Sequence, residues 1–192
     1  VVEYADFACS ACAAFATGSW PEVRRELVES GRVYWRMVPF SLGFRHGERA
    51  ARAAECAADQ EGFWPMHDAL FAQRDSWMEP RRPEDTFEEI AAGLGLDPEA
   101  LRRCIDDDLP EDRLDRAQAE AEAAGVRATP AFLVNGRPVL GALPFETFVQ
   151  AVEAAEGGGR PRRRRGCRPC PRPSSQAASG TVSSSARPSA RS

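Results

Sequence analysis

Val1-Val2-Glu3-Tyr4-Ala5-Asp6-Phe7-Ala8-Cys9-Ser10-Ala11-Cys12 is the stretch that decides the reading of this chain. Residues 1–6 read as a buried strand, and residues 10–30 read as a helix with Gly18 and Pro21 as kink points. Two cysteines separated by two residues thus stand between a strand and a helix. At a helix N-terminus, unpaired backbone N–H groups and the positive end of the dipole stabilise a thiolate. A stable thiolate is both a good leaving group and a disulfide attacker. The spacing by itself also suits half of a zinc site or a structural disulfide; the strand and helix around it favour redox chemistry.

Outward from this motif the chain alternates strand and helix signals. Residues 32–38 (RVYWRMV) mix aromatic and β-branched residues with arginines and predict a second strand. Residues 44–61 predict a helix with an alanine-rich face, and residues 63–74 another built around Phe63, Trp64, Met66, Leu70 and Phe71. Thr86 followed by Glu89 fits a capping box opening a helix to Leu94. Asp97-Pro98 opens the next, which carries Leu101, Cys104 and Ile105 on one face. Residues 111–124 predict a helix whose apolar side is small: Leu114, Ala117, Ala121 and Ala124. After Thr129-Pro130 come a short strand at 131–134, the hairpin signal Asn135-Gly136 and a return strand at 137–140. An amphipathic helix over 144–156 closes the order. The sum is an α/β chain: 1–42 as a first half, 43–125 as a helical insertion and 126–156 as a second half.

Composition sets the limits. The 192 residues suffice for one domain with a core and some surplus. Basic charge is carried by 25 arginines and no lysine. All 29 acids fall at or before Glu156, against 16 arginines there, so residues 1–156 carry a net −13 and the rest +9. An acidic body argues against nucleic-acid binding by the folded part. No run approaches the ~18 apolar residues of a membrane span, and no signal peptide is visible. The chain opens inside a strand without Met, which reads as an N-terminal truncation. Residues 157–192 are rich in Gly, Pro, Ser and Arg and lack periodicity, so disorder is expected there. A functional role for Arg160 and Arg162 to Arg165 in binding anionic lipid or nucleic acid is disfavoured, because the segment holds no aromatic residue for stacking.

VVEYADFACSACAAF, GVRATPAFLVNG, RAARAAECAADQEGFWPMHDALF and LGLDPEALRRCI together resemble the DsbA-like form of the thioredoxin fold over residues 1–156. The resemblance implies a thiol–disulfide oxidoreductase of the bacterial cell envelope, periplasmic or otherwise extracytoplasmic. Cys9 would be the nucleophile, more exposed than Cys12, which would resolve the mixed disulfide. Pro130 would be cis, with the backbone of Thr129 against the active-site sulfur and open to an extended substrate. Glu3 occupies the position of a buried acid in the family and would relay the proton of Cys12; an exposed edge acid is the competing reading. Asp6 reads as a loop acid near the helix start. The family also has a strand before residue 1, Pro at the position of Ser10, His in its most oxidising members at Ala11, and Gly at Ala128. Ser10 and Ala11 leave the redox direction open between disulfide donor and reductase or isomerase.

Cys56 and Cys104 lie on apolar helix faces, as free buried cysteines or, as in some actinobacterial relatives, a disulfide stapling the insertion. His46 and His67 read as ordinary packed or solvent-facing histidines. The resemblance implies protein substrates bearing cysteines, a quinone-linked membrane re-oxidant, and no metal or organic cofactor. A zinc site shared with Cys167 and Cys170 is disfavoured. The competing readings are a non-catalytic binding or chaperone-like module with structural cysteines and, less favoured, a cytoplasmic glutathione-dependent isomerase.

Overall fold

The computed structural model describes residues 1–157; the readings for the C-terminal segment, Cys167 and Cys170 included, lie outside the described residues. Four short strands form one sheet: β1 (Val2–Ala5), β2 (Arg36–Pro39), β3 (Ala131–Val134) and β4 (Arg137–Leu140), in the order β2-β1-β3-β4. β1 runs parallel to β2 (Glu3 opposite Met37) and antiparallel to β3 (Glu3 opposite Phe132). A parallel pair needs a crossover, supplied by α1 (Ser10–Thr17), α2 (Trp20–Val23) and a wider π turn over Arg24–Val28. The β3–β4 pair needs only a tight turn. Asn135 (φ 49°) and Gly136 (φ 78°) both take positive φ, as a two-residue hairpin of this hand requires.

The helix expected over 10–30 is therefore interrupted. It stops at Gly18, where a Cβ would lie 2.7 Å from the Ala14 carbonyl oxygen, and restarts with Pro21 in its first turn. β2 begins at Arg36 rather than at residue 32. Val33 is tied back to the helix, its N–H donating to the Leu27 carbonyl at 2.8 Å, and Trp35 turns into the core.

Between β2 and β3 stand α3 (Gly47–Ala58), α4 (Phe63–Ala72), α5 (Arg74–Met78), α6 (Glu84–Gly93), α7 (Pro98–Asp106) and α8 (Glu111–Ala123). α3 starts only at Gly47 because His46 adopts φ 62°, a left-handed conformation no helix continues through. The segment expected as one helix over 63–74 is two, with the break at Gln73. Thr86 does not cap α6: the helix begins at Glu84 with Pro83 before it, so Thr86 lies inside the first turn. Asp97 does cap α7, its side chain accepting from the Ala100 N–H at 3.0 Å. The alanine face of α3 is fully buried at Ala50, Ala53, Ala54 and Ala57, and small side chains let α4 and α7 approach closely. Cys56 on α3 and Cys104 on α7 form a disulfide with Cα atoms 5.8 Å apart.

The last helix, α9 (Phe145–Gly157), closes one face of the sheet. Phe148 and Val152 pack there with Phe15, Trp20, Trp35 and Phe132. Alternation along β1 follows: Glu3 shares the α1 face with Phe132, while Tyr4 faces Val38, Ala131 and Ala121 of α8 on the other side. A second core joins the insertion to the cysteine motif, since Cys9, Cys12 and Ala16 pack in one cluster with Phe7, Leu70, Phe71, Ala54 and Leu101. Helices α3 to α7 are therefore a wall of the site, packed in one core with it.

Candidate active site

Cys9 is the N-cap residue of α1, with extended backbone (φ −75°, ψ 124°). The first N–H groups of the helix have no acceptor within it and surround this position. Cys9 is 8 % exposed and Cys12, one turn further, 1 %. Cys9 is the less buried of the two, though both cysteines are buried. Both are free thiols. Burial pushes the Cys12 thiol far above its ordinary value; the Thr129 side chain and an Asp6 backbone contact oppose this, and the charge of Cys9 adds to it. A thiolate at Cys12 is therefore costly, and this sulfur rests as a thiol.

The Thr129-Pro130 peptide is cis. The Cys9 Sγ donates to the Thr129 carbonyl oxygen at 3.5 Å, so residues 120 positions apart in the chain meet across the site. The Thr129 Oγ1 is buried without a hydrogen-bond partner among the described residues, within reach of Cys12. A buried hydroxyl left open costs stability. It is placed to donate to a thiolate at Cys12. Arg127 and Ala128, before it, are exposed.

Glu3 is 1 % exposed, and its Oε2 accepts from the Trp35 Nε1 at 3.0 Å. Burial raises its pKa; a positive charge on His67 and the Trp35 bond lower it. Trp35 stacks on Phe15 of α1 at 6.2 Å, so Glu3 lies beneath the helix that carries both cysteines. The competing reading of Glu3 as an exposed edge acid is excluded by this burial.

Three groups do more than the sequence reading assigned them. Asp6 is the loop acid near the helix start, and it is buried: its carboxylate accepts from the N–H groups of Ala8 and Leu42, both at 2.8 Å, and its carbonyl from Cys9 at 3.0 Å. It folds the loop that presents Cys9. A Cβ on Gly47 would come 2.4 Å from its Oδ1, so α3 can approach this loop only with glycine there. Arg74 of α5 grips the same loop, Nε and Nη2 donating to the Ala8 carbonyl at 2.9 and 2.6 Å. His67 is 1 % exposed and lies among aromatic rings, the packed one of the two placements expected for it. An aspartate three residues before the first cysteine was the one sequence signal among these; Arg74 and His67 reach the site only through tertiary packing.

A family model described as Thioredoxin matches residues 1–154. Among curated proteins, a Na(+)/H(+) antiporter NhaA of Herminiimonas arsenicoxydans is 37% identical over 160 residues, 83% of this chain but 24% of the antiporter. The chain thus spans about a quarter of the length of the NhaA relatives it matches. Among solved structures, Wolbachia pipientis alpha-DsbA1 superposes with a TM-score of 0.71 at 23% identity, covering 82% of this chain and 85% of that one. A thioredoxin-like oxidoreductase from Silicibacter pomeroyi gives 0.64 at 27% identity, covering 81% and 85%. Family model, sheet order and helical insertion agree: the chain belongs to the thioredoxin family, in the DsbA-like form of its fold.

Proposed function

We propose that this chain is a thiol–disulfide oxidoreductase that donates the Cys9–Cys12 disulfide to cysteine-bearing proteins. In the oxidised form a substrate thiolate attacks the Cys9 sulfur. The Cys9–Cys12 bond breaks, a substrate–Cys9 bond forms, and Cys12 leaves as a thiolate that takes up a proton. A second substrate thiolate then attacks the substrate sulfur of the mixed disulfide and releases Cys9. Two electrons pass to the protein, and the substrate gains a disulfide. The observation that carries the reading is the placement of Cys9 at the start of α1, against the Thr129 carbonyl and in front of a deeply buried Cys12. Attack at the more accessible sulfur makes Cys12 the leaving group. The exposed residues Arg127 and Ala128 leading to Thr129 suit a substrate strand pairing ahead of β3, which is itself paired on both sides.

An oxidising compartment accords with the Cys56–Cys104 disulfide, and a quinone-linked membrane partner would restore the oxidised state. The match to part of an antiporter chain supports a membrane-proximal setting for this kind of module. Ser10 and Ala11 between the cysteines keep open the second reading, a reductase or isomerase, because that dipeptide tunes the stability of the dithiol state. Cys9→Ser tests the shared core of both. It should abolish oxidation of a dithiol peptide and reduction of a disulfide by the full chain; retained turnover would remove Cys9 from the nucleophile role.

A further inference from the structure

Arg74 opens α5, just after the break at Gln73. Its place is fixed from within the insertion. One turn on, Trp77 is fully buried, packs against Phe87 of α6 with ring centroids 5.9 Å apart, and donates its Nε1 to the Leu70 carbonyl at 2.7 Å. From this anchor the guanidinium reaches the cysteine loop and donates through Nε and Nη2 to the Ala8 carbonyl, at 2.9 and 2.6 Å. Ala8 immediately precedes Cys9, so this carbonyl belongs to the peptide that joins the two. The other end of that peptide, the Cys9 N–H, donates to the Asp6 carbonyl at 3.0 Å. The peptide plane that carries Cys9 is thus held at both ends, by the insertion on one side and by its own loop on the other.

Charge makes this contact more than a structural tie. Residues 1–156 carry a net −13, and the loop before α1 itself holds the buried acid Asp6. A thiolate on Cys9 is disfavoured in such surroundings unless a cation stands near it. Among the described residues, Arg74 is the one cationic side chain hydrogen-bonded to residues 6–12. Its Nη1 pairs with Asp75 at 3.2 Å, but Asp75 is 97 % exposed, and a pair that wet leaves most of the positive charge uncompensated. With Ser10 and Ala13 of α1, Arg74 also lines a cavity of about 290 Å³, which puts it alongside the first turn of the helix. As a thiol, Cys9 donates to the Thr129 carbonyl. A thiolate has no hydrogen to donate, so that contact is lost, and the first-turn N–H groups and Arg74 are what remain to stabilise it.

We propose that Arg74 is a positioning residue for exchange at Cys9: supplied by the helical insertion, it fixes the Ala8–Cys9 peptide and places a positive charge that favours the Cys9 thiolate, and with it the reduced pair. It acts through the Ala8 carbonyl and through its charge. The inference rests on the exchange reading and deepens it, since that reading holds with or without Arg74. In glutathione buffers, two glutathione thiols reduce the Cys9–Cys12 disulfide to the dithiol and leave as one glutathione disulfide. A group that stabilises Cys9 as a thiolate draws this two-electron equilibrium toward the reduced protein.

The test compares the full chain with its Arg74→Met and Arg74→Lys variants in glutathione redox buffers, following the Cys9–Cys12 pair by mass. Arg74→Met keeps an unbranched side chain and removes the charge. The equilibrium should move about tenfold toward the disulfide, a fall of about 30 mV for two electrons. The rate at which iodoacetamide alkylates Cys9 in the reduced chain near neutral pH should fall with it. Arg74→Lys keeps the charge but not the fork of donors, and should restore most of both. A merely structural arginine would lower the unfolding midpoint in both variants and leave the redox equilibrium at its wild-type value, and that result overturns the proposal. Should Arg74→Met fail to fold, Arg74→Gln makes the same comparison, because its amide keeps a donor for the Ala8 carbonyl without the charge: a shift of about tenfold supports the proposal, and an unmoved equilibrium overturns it. A wild-type chain without reversible exchange removes the functional reading. A wild type that exchanges, with variants at the same equilibrium, removes this proposal alone.

Discussion

Removing the insertion staple gives the most quantitative expectation. Cys56→Ala with Cys104→Ala deletes a cross-link whose cysteines are 48 positions apart. For a loop of that length, the entropy regained by the unfolded chain corresponds to about 4 kcal/mol at 25 °C. Both sites are buried in the tight α3–α7 contact, where alanine fits among the alanines already present, so cavity formation adds little. With a urea m-value of about 2 kcal/mol per molar, the midpoint should fall by about 2 M. Urea unfolding of wild type and double variant, each with free Cys9 and Cys12 under mild reductant, measures it. An unchanged m-value with a loss below about 1 kcal/mol would refute the argument, because the helices would then be held by packing alone. Exchange by the double variant should persist, since neither cysteine belongs to the reacting pair.

Other perturbations probe the site itself. Gly47→Ala drives a Cβ onto the Asp6 carboxylate and should cost about 1–3 kcal/mol, with slower exchange because the same loop presents Cys9; thermal unfolding at wild-type stability would contradict it. Arg74→Met removes two charged donors from the Ala8 carbonyl and should cost about 1.5–3 kcal/mol, read by denaturant unfolding, where no loss would dismiss the grip. Thr129→Val takes away the donor that receives the Cys12 thiolate. Alkylation of Cys12 in a Cys9→Ser background should slow up to about tenfold with little loss of stability, and an unchanged rate would free Thr129 of that role. Burial raises the Glu3 pKa above 4.5, so between that value and the folded one the native state binds the extra proton and stability falls as pH rises. Glu3→Gln should match wild type in acid and gain on it as pH climbs through that window; parallel curves across urea unfolding at several pH values would count against a raised pKa.

The parts of the fold that were legible in the sequence are those written locally. The strand, the cysteine pair and the helix start lie in twelve consecutive residues, the Asn135-Gly136 turn in two, and the Asp97-Pro98 helix start in two. Cysteine spacing and turn chemistry act at short range, so they survive without tertiary information. The Thr86 capping box misled because the backbone already turns helical at Glu84, where Pro83 fixes the chain direction. β2 read too long because Val33 and Trp35 have strand-forming side chains but stand before Arg36, the first paired residue, and pack into the core between sheet and helices. The break between α4 and α5 had no glycine or proline to announce it. Arg74, Asp6 and His67 carry no motif. Their importance comes from one carbonyl, two N–H groups and one buried ring nitrogen that only the folded chain brings together.

The central claim is that Cys9 and Cys12 exchange between dithiol and disulfide while Cys56 and Cys104 do not. Equilibrating the full chain across glutathione redox buffers and mapping its cysteines by mass tests this directly. The Cys9–Cys12 pair should open and close reversibly, with the Cys56–Cys104 bond closed throughout. A midpoint well above about −270 mV marks a disulfide donor, and one near it a reductase or isomerase. A Cys9–Cys12 pair that stays locked in one state over the whole range would rule out exchange at this motif.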